Sequence, residues 1–83
     1  MRKGERMTQD EWKQKFGERL SGIIKKRNIS QHSLAKESGL SVSRINDYLK
    51  MKATPTIFAM INLADALDMK IDDLIECDEL VNK

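Results

Sequence analysis

The chain has 83 residues, a single-domain length near the lower end of what folds without staples. A domain of this size buries only about 60–65% of its unfolded surface, which leaves one thin core and little room for a deep catalytic pocket. One cysteine, Cys77, excludes an internal disulfide, and Cys77 with the single His32 falls short of the four ligands of a structural zinc site.

No apolar run approaches the ~20 residues of a membrane span. The basic start, Met1 to Arg6, has no apolar stretch behind it and does not read as a secretory signal. A cytoplasmic protein is the expectation. The net charge of +2 conceals a split: residues 1–54 hold 13 Lys and Arg against 6 Asp and Glu, whereas residues 55–83 hold 2 against 7. One end suits a polyanion and the other is repelled by it, unless the segregation is only solvated surface charge.

Helical periodicity dominates. Trp12, Phe16, Leu20, Ile23 and Ile24 form one stripe, with Thr8 and Glu11 spaced as a capping box before it. This spacing makes Trp12 and Phe16 core residues rather than a base-stacking platform. Lys25, Lys26 and Arg27 suit the negative end of that helix, and Asn28 can terminate it. Ser30 is a good N-cap for a short second helix carrying Leu34 and Ala35, and Gly39 suits its end. Ser41 caps a third helix over about 41–50, with Ile45, Tyr48 and Leu49 on its apolar side and Ser43, Arg44 and Asp47 opposite.

The loop Ala53-Thr-Pro-Thr56 precedes a fourth helix, with either threonine as cap; Thr54 would place Pro55 at the favoured first position. Ile57, Phe58, Met60, Ile61, Ala64 and Leu67 give this helix a broad apolar arc, which predicts a central place in the packing. Asp68 stands where glycine or asparagine usually ends a helix. A last helix begins near Lys70 with Ile71, Leu74 and Ile75. Met51, Met60 and Met69 read as packing residues, and Cys77 as a reduced, small apolar one. No alternation suggests a strand. The expected fold is all-α, a compact five-helix bundle of one domain over 1–83, with its core at about 10–77 and frayed tails at 1–9 and 78–83.

Residues 30–49 read as a helix, a tight turn and a second helix. Two short helices crossing steeply need a small residue at the crossing and glycine at the turn. Ala35 and Gly39 supply these. Counting from Gln31 as one, Leu34, Ala35, Gly39, Leu40, Ile45 and Tyr48 fall at 4, 5, 9, 10, 15 and 18. With the stretch Ser30-Gln-His-Ser-Leu-Ala-Lys-Glu-Ser-Gly-Leu-Ser-Val-Ser-Arg-Ile45, and with Pro55 through Leu67 to Leu74 behind it, the chain resembles the Cro/repressor-like, or XRE-like, helix-turn-helix proteins over about residues 16–76. The resemblance implies a lambda-repressor-like domain. It also marks four departures: Ser38 at a usually apolar position, Leu49 for a common glutamate, Met51 for a common glycine, and Lys70 as N-cap where Ser or Thr is common. An Ile24–Leu49 contact would replace the polar pair of relatives at little cost.

A helix of this kind places its N-terminal residues at base edges in the major groove, while the preceding helix crosses the phosphate backbone. The expected base readers are Val42, Ser43, Arg44 and Asp47: Val42 for a thymine methyl, Arg44 for guanine, Asp47 for the cytosine amino group. A solvated helix face, or the core edge for Val42, is the plainer reading of the same residues. The expected phosphate contacts are Gln31, which the resemblance implies, with His32, Asn46, Lys50 and Lys52 around it.

One such unit reads only a few base pairs, so a homodimer on a palindromic operator is expected. Its interface is expected at the acidic C-terminal end, on Ile71, Leu74, Ile75, Leu80 and Val81, with monomer core as the alternative for Leu74 and Ile75. The resulting expectation is a double-stranded-DNA-binding transcriptional regulator, a repressor, not an enzyme, with no cofactor, metal or small-molecule ligand. The alternative is a protein-interaction module, antitoxin or antirepressor-like, using the same fold.

Overall fold

The computed structural model describes residues 6–75; residues 1–5 and 76–83, and with them Cys77, Leu80, Val81 and most of both tails, lie outside the described residues. Five helices follow in order: α1 (Gln9–Arg27), α2 (Gln31–Ser38), α3 (Val42–Leu49), α4 (Ile57–Ala66) and α5 (Ile71–Leu74). Among the described residues there is no strand, and no helix is long and apolar enough to cross a membrane.

Local chemistry sets each boundary. At the start of α1, Thr8 Oγ1 accepts from the Glu11 amide at 3.1 Å, and the Glu11 carboxylate accepts from the Thr8 amide at 2.9 Å. This reciprocal pair is the expected capping box. Asn28 ends α1 in the left-handed region at φ 57°, which asparagine tolerates better than most residues. Ser30 and Ser41 cap α2 and α3 through the amides of Ser33 and Arg44, each at 3.0 Å. Gly39 turns the chain between them at φ 77°, where a Cβ would be strained.

The cap of α4 is Thr56, whose Oγ1 accepts from the Ala59 amide at 3.0 Å. Pro55 therefore precedes the helix and does not take its first position. It is buried beneath the loop. Asp68 adopts φ 55°, the helix-ending conformation its position suggested. Lys70 stands at the N-cap of α5 without a side-chain hydrogen bond.

The core is built from every helix: Phe16 and Leu20 of α1, Leu34 and Ala35 of α2, Ile45 and Tyr48 of α3, Ala59, Leu63 and Ala64 of α4, and Leu74 of α5. α1 packs on α3, and α2 packs on both α3 and α4. Phe16 meets Tyr48 edge-on, with ring centroids 5.7 Å apart and planes at 85°, a favoured aromatic geometry. Trp12 lies 5.6 Å from Phe16 and partly buried, so this pair serves packing. Ile24 and Leu49 are both partly buried against the core. Ser38 is buried, and its hydroxyl donates to the Ala35 carbonyl and accepts from the Leu40 amide. A polar residue at this usually apolar place is thus satisfied within its own turn.

The broad arc of α4 is only half used. Ala59, Leu63 and Ala64 face the core, while Ile57, Phe58 and Ile61 stand 63%, 64% and 48% exposed. The helix therefore lies at the edge of the bundle with one apolar side outward, not at its centre. The arc is wider than the face that α2 and α5 cover.

Candidate nucleic-acid interface

The unit α2-turn-α3 is held rigidly from behind. Leu34, Ala35, Leu40, Ile45 and Tyr48 are all buried. This leaves the opposite stripe of α3 to solvent, as its strong amphipathic period requires. Ser43 and Arg44 are exposed on the first turn; Asp47 is half-buried one turn later. Val42 is half-buried and packs on the core, at the boundary between the two faces. The four expected base readers thus share the outer end of α3, with Ser43 and Arg44 most free to reach a ligand.

Beside them lies an open concavity of about 440 Å³, lined by Ser41, Ser43, Arg44, Asp47 and Tyr48 of the α3 segment and by Ala53, Thr54 and Thr56 of the following loop. Sequence spacing did not single out Thr54 and Thr56 for this face. The signal is two hydroxyls flanking the only proline, which in sequence equally suit rival caps for α4. Thr56 caps, and it also lines the concavity.

The expected phosphate contacts divide into two groups. Gln31 opens α2, where free backbone N–H groups favour an anion. It is half-buried, and its Oε1 accepts a long hydrogen bond, 3.4 Å, from Asn46 Nδ2. This bond joins the first turn of α2 to the middle of α3. It directs the Asn46 amide nitrogen at Gln31. His32 is exposed on the same turn. Lys50, at the C-cap of α3, and Lys52, two residues on, are both exposed. The Lys52 amide donates to the Asp47 carbonyl at 2.8 Å, which folds the chain back after α3. Arg44, Lys50 and Lys52 make no ion pair among the described residues, so their charge is uncompensated locally.

The expected C-terminal interface fares differently. Leu74 is fully buried within the monomer, packed in the core cluster, and is not available to a partner. Ile71 and Ile75 are half-buried against the same core. Leu80 and Val81 lie outside the described residues. α5 is anchored to α1: Arg19 donates to the Asp73 carbonyl from Nε at 3.1 Å and Nη2 at 2.7 Å. Arg27 of α1 in turn donates to the Leu67 carbonyl at the end of α4.

Comparison with known proteins agrees with this geometry. The helix-turn-helix family model matches residues 20–74. The cryptic phage CTXphi transcriptional repressor RstR of Vibrio cholerae serotype O1 is 35% identical over 60 residues, covering 72% of this chain and 54% of the repressor. The chain thus spans about half the length of that relative. Among solved structures, the restriction-modification controller protein C.AhdI of Aeromonas hydrophila superposes with a TM-score of 0.69 at 32% identity, covering 72% of this chain and 91% of that one. The buried crossing, the glycine turn and the family match over α2 through α5 converge on one assignment: this chain belongs to the helix-turn-helix family.

Proposed function

We propose that this protein is a sequence-specific DNA-binding transcriptional regulator, acting as a repressor, that reads the major groove with α3. The carrying observation is the pairing of exposed Ser43 and Arg44 with fully buried Ile45 and Tyr48 on the same eight-residue helix. A core-locked helix presents its outer side chains in one geometry, as base recognition requires. The relatives support the reading, one being a transcriptional repressor and the other a controller protein.

In this reading Arg44 takes the guanine O6 and N7 edge, Ser43 donates to or accepts from its neighbour, and Val42 touches a thymine methyl. Asp47 accepts from a cytosine amino group and disfavours other bases, since a carboxylate repels acceptor edges and phosphate. Gln31, His32, Lys50 and Lys52 hold the backbone on either side, with Gln31 oriented by Asn46. Thr54 and Thr56 add hydroxyls at the edge of the concavity. Two copies on two half-sites supply the specificity that one short reading helix lacks.

Titration of the ¹⁵N-labelled protein with a duplex, followed by amide shifts, tests the docking face. The expected changes cluster at residues 30–33, 41–47 and 50–56. Shifts confined to other surfaces would overturn the orientation, and no shifts at low salt would favour the protein-interaction alternative.

A further inference from the structure

Among the described methionines, Met51 alone is exposed, at 38%; Met7, Met60 and Met69 are half-buried. Met51 follows the end of α3 and stands between Lys50 and Lys52, both exposed. Its side chain runs back across α1. Cγ and Cε lie 2.8 and 3.5 Å from the place of a Cβ on buried Gly17. The sulfur bonded between these two carbons therefore lies over the same glycine. A thioether offers only a weak acceptor, so apolar contact holds it there.

We propose that Met51 is an oxidation-sensitive modification site whose substrate is a peroxide, and that its sulfoxide releases the end of α3 from α1. In the step, a lone pair of the Met51 sulfur attacks one oxygen of hydrogen peroxide. An S–O bond forms as the O–O bond breaks. The departing hydroxide takes the proton left on the transferred oxygen and becomes water. The sulfur loses two electrons, and the peroxide gains them.

The product no longer fits its seat. A sulfoxide is polar and chiral where the thioether was apolar. Its oxygen enters a place floored by the Tyr48 carbonyl oxygen, which stands 2.8 Å from the same Cβ position on Gly17. Both oxygens are acceptors, so they repel each other. The oxidised side chain turns into water. Residue 51 keeps its left-handed backbone, φ 63°, so the strain stays while the packing goes.

The release reaches the two lysines. The turn after α3 is closed by the Met51 amide donating to the Tyr48 carbonyl at 3.1 Å and the Lys52 amide donating to the Asp47 carbonyl at 2.8 Å. Loosening this turn frees Lys50 and Lys52 from the positions that suit phosphate. Ser43 and Arg44, at the other end of α3, keep theirs. Oxidation thus weakens the grip on the DNA backbone more than the reading of bases. This last consequence rests on the proposed DNA reading; the oxidation and the release do not.

Graded hydrogen peroxide treatment of the full chain tests the proposal. Oxidised methionines are located by peptide mass mapping. The same samples are followed by thermal melts, amide spectra and binding to a short mixed-sequence duplex at low salt. Met51 is expected to oxidise at least about fivefold faster than Met60 and Met69, as its exposure dictates. Its oxidation is expected to lower Tm by roughly 4–8 °C and to shift the amides of Gly17 and of residues 47–53. Duplex affinity is expected to fall about threefold to tenfold, with a smaller salt slope. Met51→Leu retains every other methionine and is expected to keep its Tm and affinity through the same treatment. Met51→Gln, polar without peroxide, is expected to reproduce the oxidised state. Oxidation of Met51 no faster than of Met60 and Met69 would overturn the proposal. So would unchanged amides at Gly17 and residues 47–53, or equal losses in Met51→Leu and the wild type. A wild type that binds no duplex before treatment would remove the DNA reading instead, and mass mapping with the amide shifts still decides the modification.

Discussion

Met51 lies directly over Gly17: a methyl on that glycine would stand 2.8 Å from Met51 Cγ and 2.8 Å from the Tyr48 carbonyl oxygen. The closeness joins α1 to the end of α3. The chain turns there at Met51, at φ 63°, a left-handed conformation that costs a side chain roughly 1–2 kcal/mol. The resemblance had marked this position as one where relatives carry glycine. Here the strained methionine spreads its side chain over the bare backbone of Gly17.

Gly17→Ala is expected to destabilise the fold by about 1–3 kcal/mol, the usual cost of overpacking. For a domain of this size that lowers Tm by roughly 4–8 °C per kcal/mol. Met51→Gly alone is expected to stabilise by relieving the left-handed strain at residue 51, and in that background Gly17→Ala is expected to cost less but not nothing, because the Tyr48 carbonyl still meets the new methyl. Thermal melts of both single variants and the double variant, read as a cycle, separate the two; no cost of Gly17→Ala in the Met51→Gly background would show that the backbone contact costs nothing.

Gly22 and Gly39, both exposed, are expected to respond in opposite directions. Around Gly22, inside α1, nothing lies within 4 Å of an added Cβ, so Gly22→Ala gains helix propensity, about 0.5–1 kcal/mol. Gly39 has the same open space but φ 77°, so Gly39→Ala loses about 1–2 kcal/mol through backbone strain alone. Urea denaturation midpoints at unchanged slope check both.

Arg19 holds α5, a helix of four residues without a side-chain cap of its own. Arg19→Met keeps most of the stem and removes the donors. The expected loss is about 1–2 kcal/mol, at the low end for a charged donor because the site is exposed. Hydrogen exchange should accelerate at Leu74 and Ile75 before the α2–α3 amides. Uniform acceleration would mean that α5 is not separately anchored.

On DNA, Arg44→Ala is expected to relax preference at one base-pair position by about 1–3 kcal/mol, while Lys50→Ala weakens all sequences alike and lowers the salt slope by about one. Gln31→Ala and Asn46→Ala are expected to be non-additive, because the second substitution removes an orienting bond already lost. Binding titrations at several salt concentrations separate these cases, and additive losses for Gln31 and Asn46 would place Asn46 in direct contact with DNA.

Much of the fold was legible because its signals are local. Thr8 with Glu11, Ser30, Ser41 and Gly39 each act within four residues, and each stands where its spacing placed it. The cap of α4 was ambiguous because Thr54 and Thr56 offer the same hydroxyl, and only the path of the chain over buried Pro55 selects one. The apolar stripes located the core, but not which apolar residues lack a neighbour. Ile57, Phe58 and Ile61 look like core in sequence, and their exposure follows from how far α2 and α5 extend across α4. Leu74 carries two readings in sequence, interface or monomer core, and the packing of α5 selects the second. The Gln31–Asn46 bond spans fifteen positions and depends on the angle between two helices, which no pattern encodes.

Selection of bound duplexes from a random-sequence DNA pool, near physiological salt where purely electrostatic binding weakens, tests the central claim most directly. The wild type is expected to enrich a defined sequence, two half-sites about one helical turn apart, and the Ser43→Ala/Arg44→Ala variant a degraded or altered one. Enrichment of the same sequence by both proteins, or of none by the wild type, would contradict base reading by α3.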